Sequence, residues 1–164
     1  MAAWLDADLV ERLVAATLAG SVLGLNRFLR HKPIGLRTHG LVALNSALVV
    51  VASLHGAKDL GIASREVQGI LTGMGFLGAG VILHPAQRGV RGLTTAAGLW
   101  LTAGLGCVLG AAQWGAALLA TLLTFAVLVG GRLLEETLAR KGWRHRPHRR
   151  HHHKPNSTHQ PDIT

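Results

Sequence analysis

From Gly92 to Gly131 the chain runs forty residues without one Lys, Arg, Asp, Glu or His. As a single α-helix, at about 1.5 Å per residue, this run would be about 60 Å long, twice the ~30 Å hydrocarbon core of a bilayer. It therefore reads as two membrane spans folded back on each other, with the turn near Gly110–Trp114 (GAAQW). A soluble helical core is the alternative, but a water-facing helix needs a polar stripe, and this run has none. The rest of the chain agrees. Only 15% of its 164 residues are charged, against about 25% in soluble domains.

Apolar runs between charges give five spans: Val10–Leu25, Thr38–Leu54, Val67–Leu83, Leu93–Gly110 and Gln113–Leu133. The N-terminal MAAWLDADLVER lacks the basic region of a signal peptide, so the first apolar segment is expected to stay. Orientation follows from Lys and Arg placement. Arg27, Arg30, Lys32 and Arg37 separate the first two spans, Arg88 and Arg91 separate the third and fourth, and a basic tail follows the fifth. The other side carries Arg12, Lys58 and Arg65 beside Asp6, Asp8, Glu11, Asp59 and Glu66. The expected fold is an all-α polytopic membrane helix bundle, with five transmembrane helices, the N-terminus outside and the C-terminus cytoplasmic. Residues 1–134 form the transmembrane domain, and 135–164 form a His/Arg-rich cytoplasmic tail expected to be disordered.

Glycine is abundant where helices are expected, although it disfavours a helix in water by about 1 kcal/mol relative to alanine. In lipid, small residues four apart let helix backbones approach closely. Such ridges occur at Ala16-Gly20-Gly24, Gly69-Gly73, Gly98-Thr102-Gly106-Gly110 and Ala112-Ala116-Ala120-Thr124, and Gly75, Gly78 and Gly80 add to the third span. They are expected to pack a compact bundle or a homodimer, without chemistry.

Magnesium takes hard oxygen ligands, and intramembrane acids mark ion pathways. Below the outer rim the five spans contain no Asp or Glu; mid-depth polar residues are Asn45 and hydroxyls such as Thr17, Ser46, Thr72, Thr102 and Thr124, expected to bond between helices. Glu66 beside Arg65 reads as an interfacial ion pair. The sole cysteine, Cys107, allows neither an intrachain disulfide nor a cysteine-based metal site. The hydroxyls Thr38, Thr94 and Thr95 have only His39 as a nearby base, so no enzyme activity, resident metal or cofactor is expected. The tail holds six of the ten histidines, but imidazole suits softer metals than Mg²⁺. Its polybasic character fits anionic lipid at the cytoplasmic face; nucleic acid is not an expected partner of a membrane-tethered tail.

IGLRTHG (Ile34–Gly40) and RGLTTAAG (Arg91–Gly98) share a plan: a basic loop, Gly-Leu, a polar residue, Thr, then a span. The first four spans read as two similar hairpins related by an axis along the membrane normal. Each segment starts a helix with Thr available as a cap. Helix N-termini beside arginine attract anions, so Arg37, Thr38, His39, Arg91, Thr94 and Thr95 are expected to form one cytoplasmic site for an anion or a partner's carboxylate. The competing reading treats both segments as topology signals alone.

Three stretches, GLRTHGLVAL, GMGFLGAGVIL and VRGLTTAAGLWLTAGLG, occur in this order. Together they resemble the MgtC/SapB family of bacterial inner-membrane proteins over roughly Leu9 to Val129. The resemblance implies a multi-pass membrane protein linked to magnesium limitation, in a family of which some members are linked to survival inside host cells. It also implies a regulator or accessory protein acting by protein or lipid contact, with the ATP synthase or a Mg²⁺ transporter as partner. A transporter or channel for Mg²⁺ or another small ion or solute is the alternative. Asn26 stands where the family's Gly-Leu-Glu-Arg motif has Glu, and only about thirty residues follow the last span, where longer relatives carry a regulatory domain.

Overall fold

The computed structural model describes residues 6–32, 34–56, 60–82 and 92–140. Among them the regular structure is entirely helical: α1 (Ala7–Phe28), α2 (Leu36–Gly56), α3 (Leu60–Ile82), α4 (Leu93–Gly110) and α5 (Trp114–Arg140). Each expected span lies within or nearly within one helix. Three of the helices, over Leu36–Leu54, Leu93–Gly110 and Trp114–Leu138, are long and apolar enough to cross a membrane. Of the other two, α1 carries Asp8, Glu11, Arg12 and Arg27 and α3 carries Arg65 and Glu66, and both are rich in Gly and Ala.

The core sits around α2, which packs chiefly against α1 and α4. Ala43 is fully buried between them. On one side lies Gly20 of α1, where a Cβ would stand 2.6 Å from the His39 carbonyl oxygen and 2.7 Å from the Ala43 Cβ. On the other lies Gly106 of α4, where a Cβ would collide with the Ala43 carbonyl and stand 2.9 Å from the Ser46 Cβ. One turn further on, a Cβ at Gly110 would stand 2.7 Å from the Ala47 carbonyl oxygen. Missing side chains thus become backbone contact, the form of association available where lipid removes the hydrophobic drive. Ala16, Leu23, Ala47, Leu105, Leu109 and Ala117 complete this cluster.

α3 joins through Met74, packed with Leu99 and Ala103 of α4. Its glycines lie elsewhere: a Cβ at Gly69, Gly73, Gly75 or Gly80 would meet nothing within 4 Å, and one at Gly78 would make ordinary contact with Ala96. α5 is the least attached helix, touching α4 and, less, α1. Ala117 is its one buried residue among the described side chains, while Ala116, on the expected ridge, is exposed. The expected ridge meets the core in part, through Ala120.

Several local expectations change. In α4 the cap is Gly92, at φ 89°, rather than a threonine, and its carbonyl accepts from the Thr95 and Ala96 amides, both at 2.9 Å. In α2 the His39 amide donates to the Gly35 carbonyl at 3.2 Å, which places Thr38 inside the first turn. Both Gly-Leu pairs therefore start a helix at Leu, with Gly before it. The hydroxyls of Thr17, Thr72, Thr102 and Thr124 donate to carbonyls four residues back in their own helices, not across helices. Among the described residues the ion pairs are Arg12–Asp8 and Arg132–Glu136; Arg65 and Glu66 are helical neighbours in sequence and face different directions. α5 continues six residues beyond the expected domain boundary at 134, because Leu133–Arg140 suits a helix and Arg132 pairs with Glu136 one turn on. Residues 141–164, the remainder of the expected tail, lie outside the described residues.

Candidate functional site

The last turn of α1 carries Arg27, a cation only 5% exposed. It lies over the first turns of α4, donating through Nη2 to the Thr94 carbonyl. Gly98 makes the room, since a Cβ there would stand 3.0 Å from that same nitrogen. A cation at a helix C-terminus is favoured by the helix dipole. A guanidinium stays charged even when buried.

Arg27 lines a cavity of about 690 Å³ at the basic end of α1, α4 and α5. Arg30, Lys32 and Arg132 add cations, and Glu135 and Glu136 are its carboxylates. Two interactions are already made locally: Arg30 Nε, just beyond α1, donates to Asn26 Oδ1 at 3.1 Å, and Arg132 pairs with Glu136 at 2.5 Å. Positive charge therefore dominates the α1 side. Asn26 supplies Arg30 with an acceptor that carries no charge.

The expected anion-site residues divide between two places. Thr94 and Thr95 line the cationic cavity. Arg37 and Thr38 line a different cavity, of about 430 Å³ between α2 and α3, with Asn45, Gly73 and Met74. His39 points into neither: it is 1% exposed, and its Nδ1 lies 3.0 Å from the Gly35 carbonyl oxygen. Arg91 lies outside the described residues. Of the packing residues, Gly98, Gly106 and Gly110 meet other helices closely and Thr102 is fully buried, whereas Gly73, Gly75 and Gly80 face open space. Among the described residues no three His, Cys, Asp or Glu side chains gather as a metal site would need.

Arg27 entered the sequence reading only as a topology charge. Its signal was the Gly24-Leu25-Asn26-Arg27 motif, whose arginine the departure at Asn26 overshadowed. At the opposite end of α1, Arg12 pairs with Asp8 and donates through Nη1 to the Gly110 carbonyl at 3.2 Å. α1 thus grips the first turn of α4 with one arginine and the last with another.

The model of the MgtC family matches residues 13–137. Protein SrpB of Synechococcus elongatus is 42% identical over 145 residues, covering 80% of each chain. The putative magnesium transporter YhiD of Escherichia coli is 38% identical over 131 residues, 76% of this chain and 60% of its own. Protein MgtC of Salmonella typhimurium is 41% identical over 131 residues, 80% of this chain and 54% of its own. The chain therefore spans little more than half the length of these last two relatives. No solved structure matches it.

Proposed function

The chain belongs to the MgtC family, and on that premise we propose that it is a membrane-embedded regulator or accessory protein of magnesium limitation, working by contact and without catalysis. All five helices cross the bacterial inner membrane in this reading, with the N-terminus outside and the basic end of the bundle at the cytoplasmic face. That arrangement follows the positive-inside rule.

The observation that carries the reading is the Arg27–Arg30–Lys32 edge of the cavity at the basic end. Its positive field repels Mg²⁺ and attracts anionic groups, whether on a lipid or on a partner such as the ATP synthase or a Mg²⁺ transporter. The name of YhiD, a putative magnesium transporter, favours a second reading, in which this chain itself carries Mg²⁺ or another small solute. Proteoliposomes of the full chain separate the two. Uptake of Mg²⁺ no greater than in empty vesicles is expected; uptake abolished by a point substitution overturns the regulatory reading. Growth of a deletion strain at low magnesium, complemented by wild type but not by Arg30→Ala with Lys32→Ala, is the matching cellular result.

A further inference from the structure

The cationic cavity does not end at its charged rim. A second cavity, of about 440 Å³, runs between α4 and α5 and shares Thr94, Val127 and Leu128 with the first. Its other walls include Ala97 and Leu101 of α4 and Leu123 of α5. The apolar part follows α5 from Ala120 to Leu128, about 12 Å at about 1.5 Å per residue. The groove arises because Ala117, near the α4–α5 turn, anchors α5 in the core, and no described side chain beyond it is buried. Leu123 and Val127 are instead 57% and 70% exposed.

One continuous groove thus has a cationic head and an apolar trough. A water-soluble anion would satisfy the head and leave the trough unfilled. The chain's own tail is ruled out as occupant of the head by its like charge. An amphiphile with a negative head matches both parts. Among the described residues neither ion pair involves Arg27, Arg30 or Lys32; of the two carboxylates lining the head, Glu136 is paired with Arg132 on α5, and the three cations gather on the α1 side.

We propose that the α4–α5 groove holds one anionic phospholipid, its phosphate against Arg27, Arg30 and Lys32 and an acyl chain along Ala97, Leu101 and Leu123. This deepens the proposed function by naming the ligand of the basic end, and it rests on that end lying at a leaflet surface. Bound lipid would then fill the space between α5 and the rest of the bundle.

The test uses the full chain in detergent, titrated with phosphatidylglycerol or phosphatidylcholine of the same acyl chains and read by native mass spectrometry. One phosphatidylglycerol should be retained, favoured by about tenfold or more over phosphatidylcholine, since each cation near a lipid headgroup contributes measurably. Arg30→Ala with Lys32→Ala should erase that preference. Ala97→Phe, at an exposed trough residue, should weaken both lipids. Should that variant not fold, Val127→Trp obstructs the trough from α5, and thermal unfolding before lipid addition identifies which variants are folded. Equal retention of the two lipids, wild-type binding by the folded trough variant, or displacement of phosphatidylglycerol by inorganic phosphate overturns the proposal. The last result would make this a free-anion site. Lipid binding as described with no growth defect at low magnesium sinks the regulatory reading alone; the reverse outcome sinks only the lipid site.

Discussion

Arg27 of α1 reaches the backbone carbonyl of Thr94 in α4, and the absence of a side chain at Gly98 lets it pass. The bond and the gap are one interaction. Arg27→Ala should destabilise the bundle by about 1.5–3 kcal/mol, the range for a hydrogen bond to a charged group. Gly98→Leu should lose a similar amount by evicting the guanidinium, and the double variant should lose less than the sum. Arg27→Lys should recover part of the loss, since an ammonium reaches but does not fork. Unfolding in detergent measures all four, and strict additivity would show that the two residues do not meet.

Glycines of α4 and α3 should respond oppositely to alanine. Gly106→Ala drives a Cβ into the Ala43 carbonyl and should cost about 1–3 kcal/mol, as overpacking does. Gly73→Ala meets open space and should leave stability unchanged or raise it by up to about 1 kcal/mol through helix propensity. Thermal unfolding reads both. A loss of self-crosslinking in Gly73→Ala, with stability intact, would identify the α3 face as a contact between copies.

The contrast marks how far the sequence could be read. Charge-free runs located the helices and the turn near Gly110–Trp114, because a bilayer leaves few ways to place apolar segments. Small-residue spacing also located the α1 and α4 contact faces at Gly20, Gly106 and Gly110. It could not say that the Gly73 face is uncovered, because spacing defines a smooth face without naming its neighbour. Nor could it separate Arg37 from Thr94, since equivalent places in two similar hairpins need not face one cavity. Arg27 escaped for the same reason: its burial depends on Gly98, seventy-one positions away in sequence and adjacent only in the fold.

Ala112, in the α4–α5 turn, has φ 57°, a left-handed conformation unfavourable for residues with a Cβ by roughly 1–2 kcal/mol. Ala112→Gly should therefore raise stability by a few tenths to about 1 kcal/mol, the gain reduced by glycine's freedom in the unfolded chain. A lowered melting temperature in this variant would contradict the turn geometry.

Reporter fusions check the orientation. A reporter in the tail should read cytoplasmic, and reporters at the N-terminus and between residues 56 and 64 should read external. If the N-terminus and the tail both read cytoplasmic, α1 does not cross.

Arg12 and Arg27 are both bonded to the α4 backbone, so neither is free to stretch toward the headgroups as long basic side chains usually do. The helix rises only about 22 Å between them, against a hydrocarbon thickness of ~30 Å. Paired in this way, α1 and α4 form a strut of fixed length. If α1 crosses as proposed, the bilayer should thin or deform around this strut, at a fraction of a kcal/mol for each ångström of mismatch, which would tie the protein's local fit to membrane thickness.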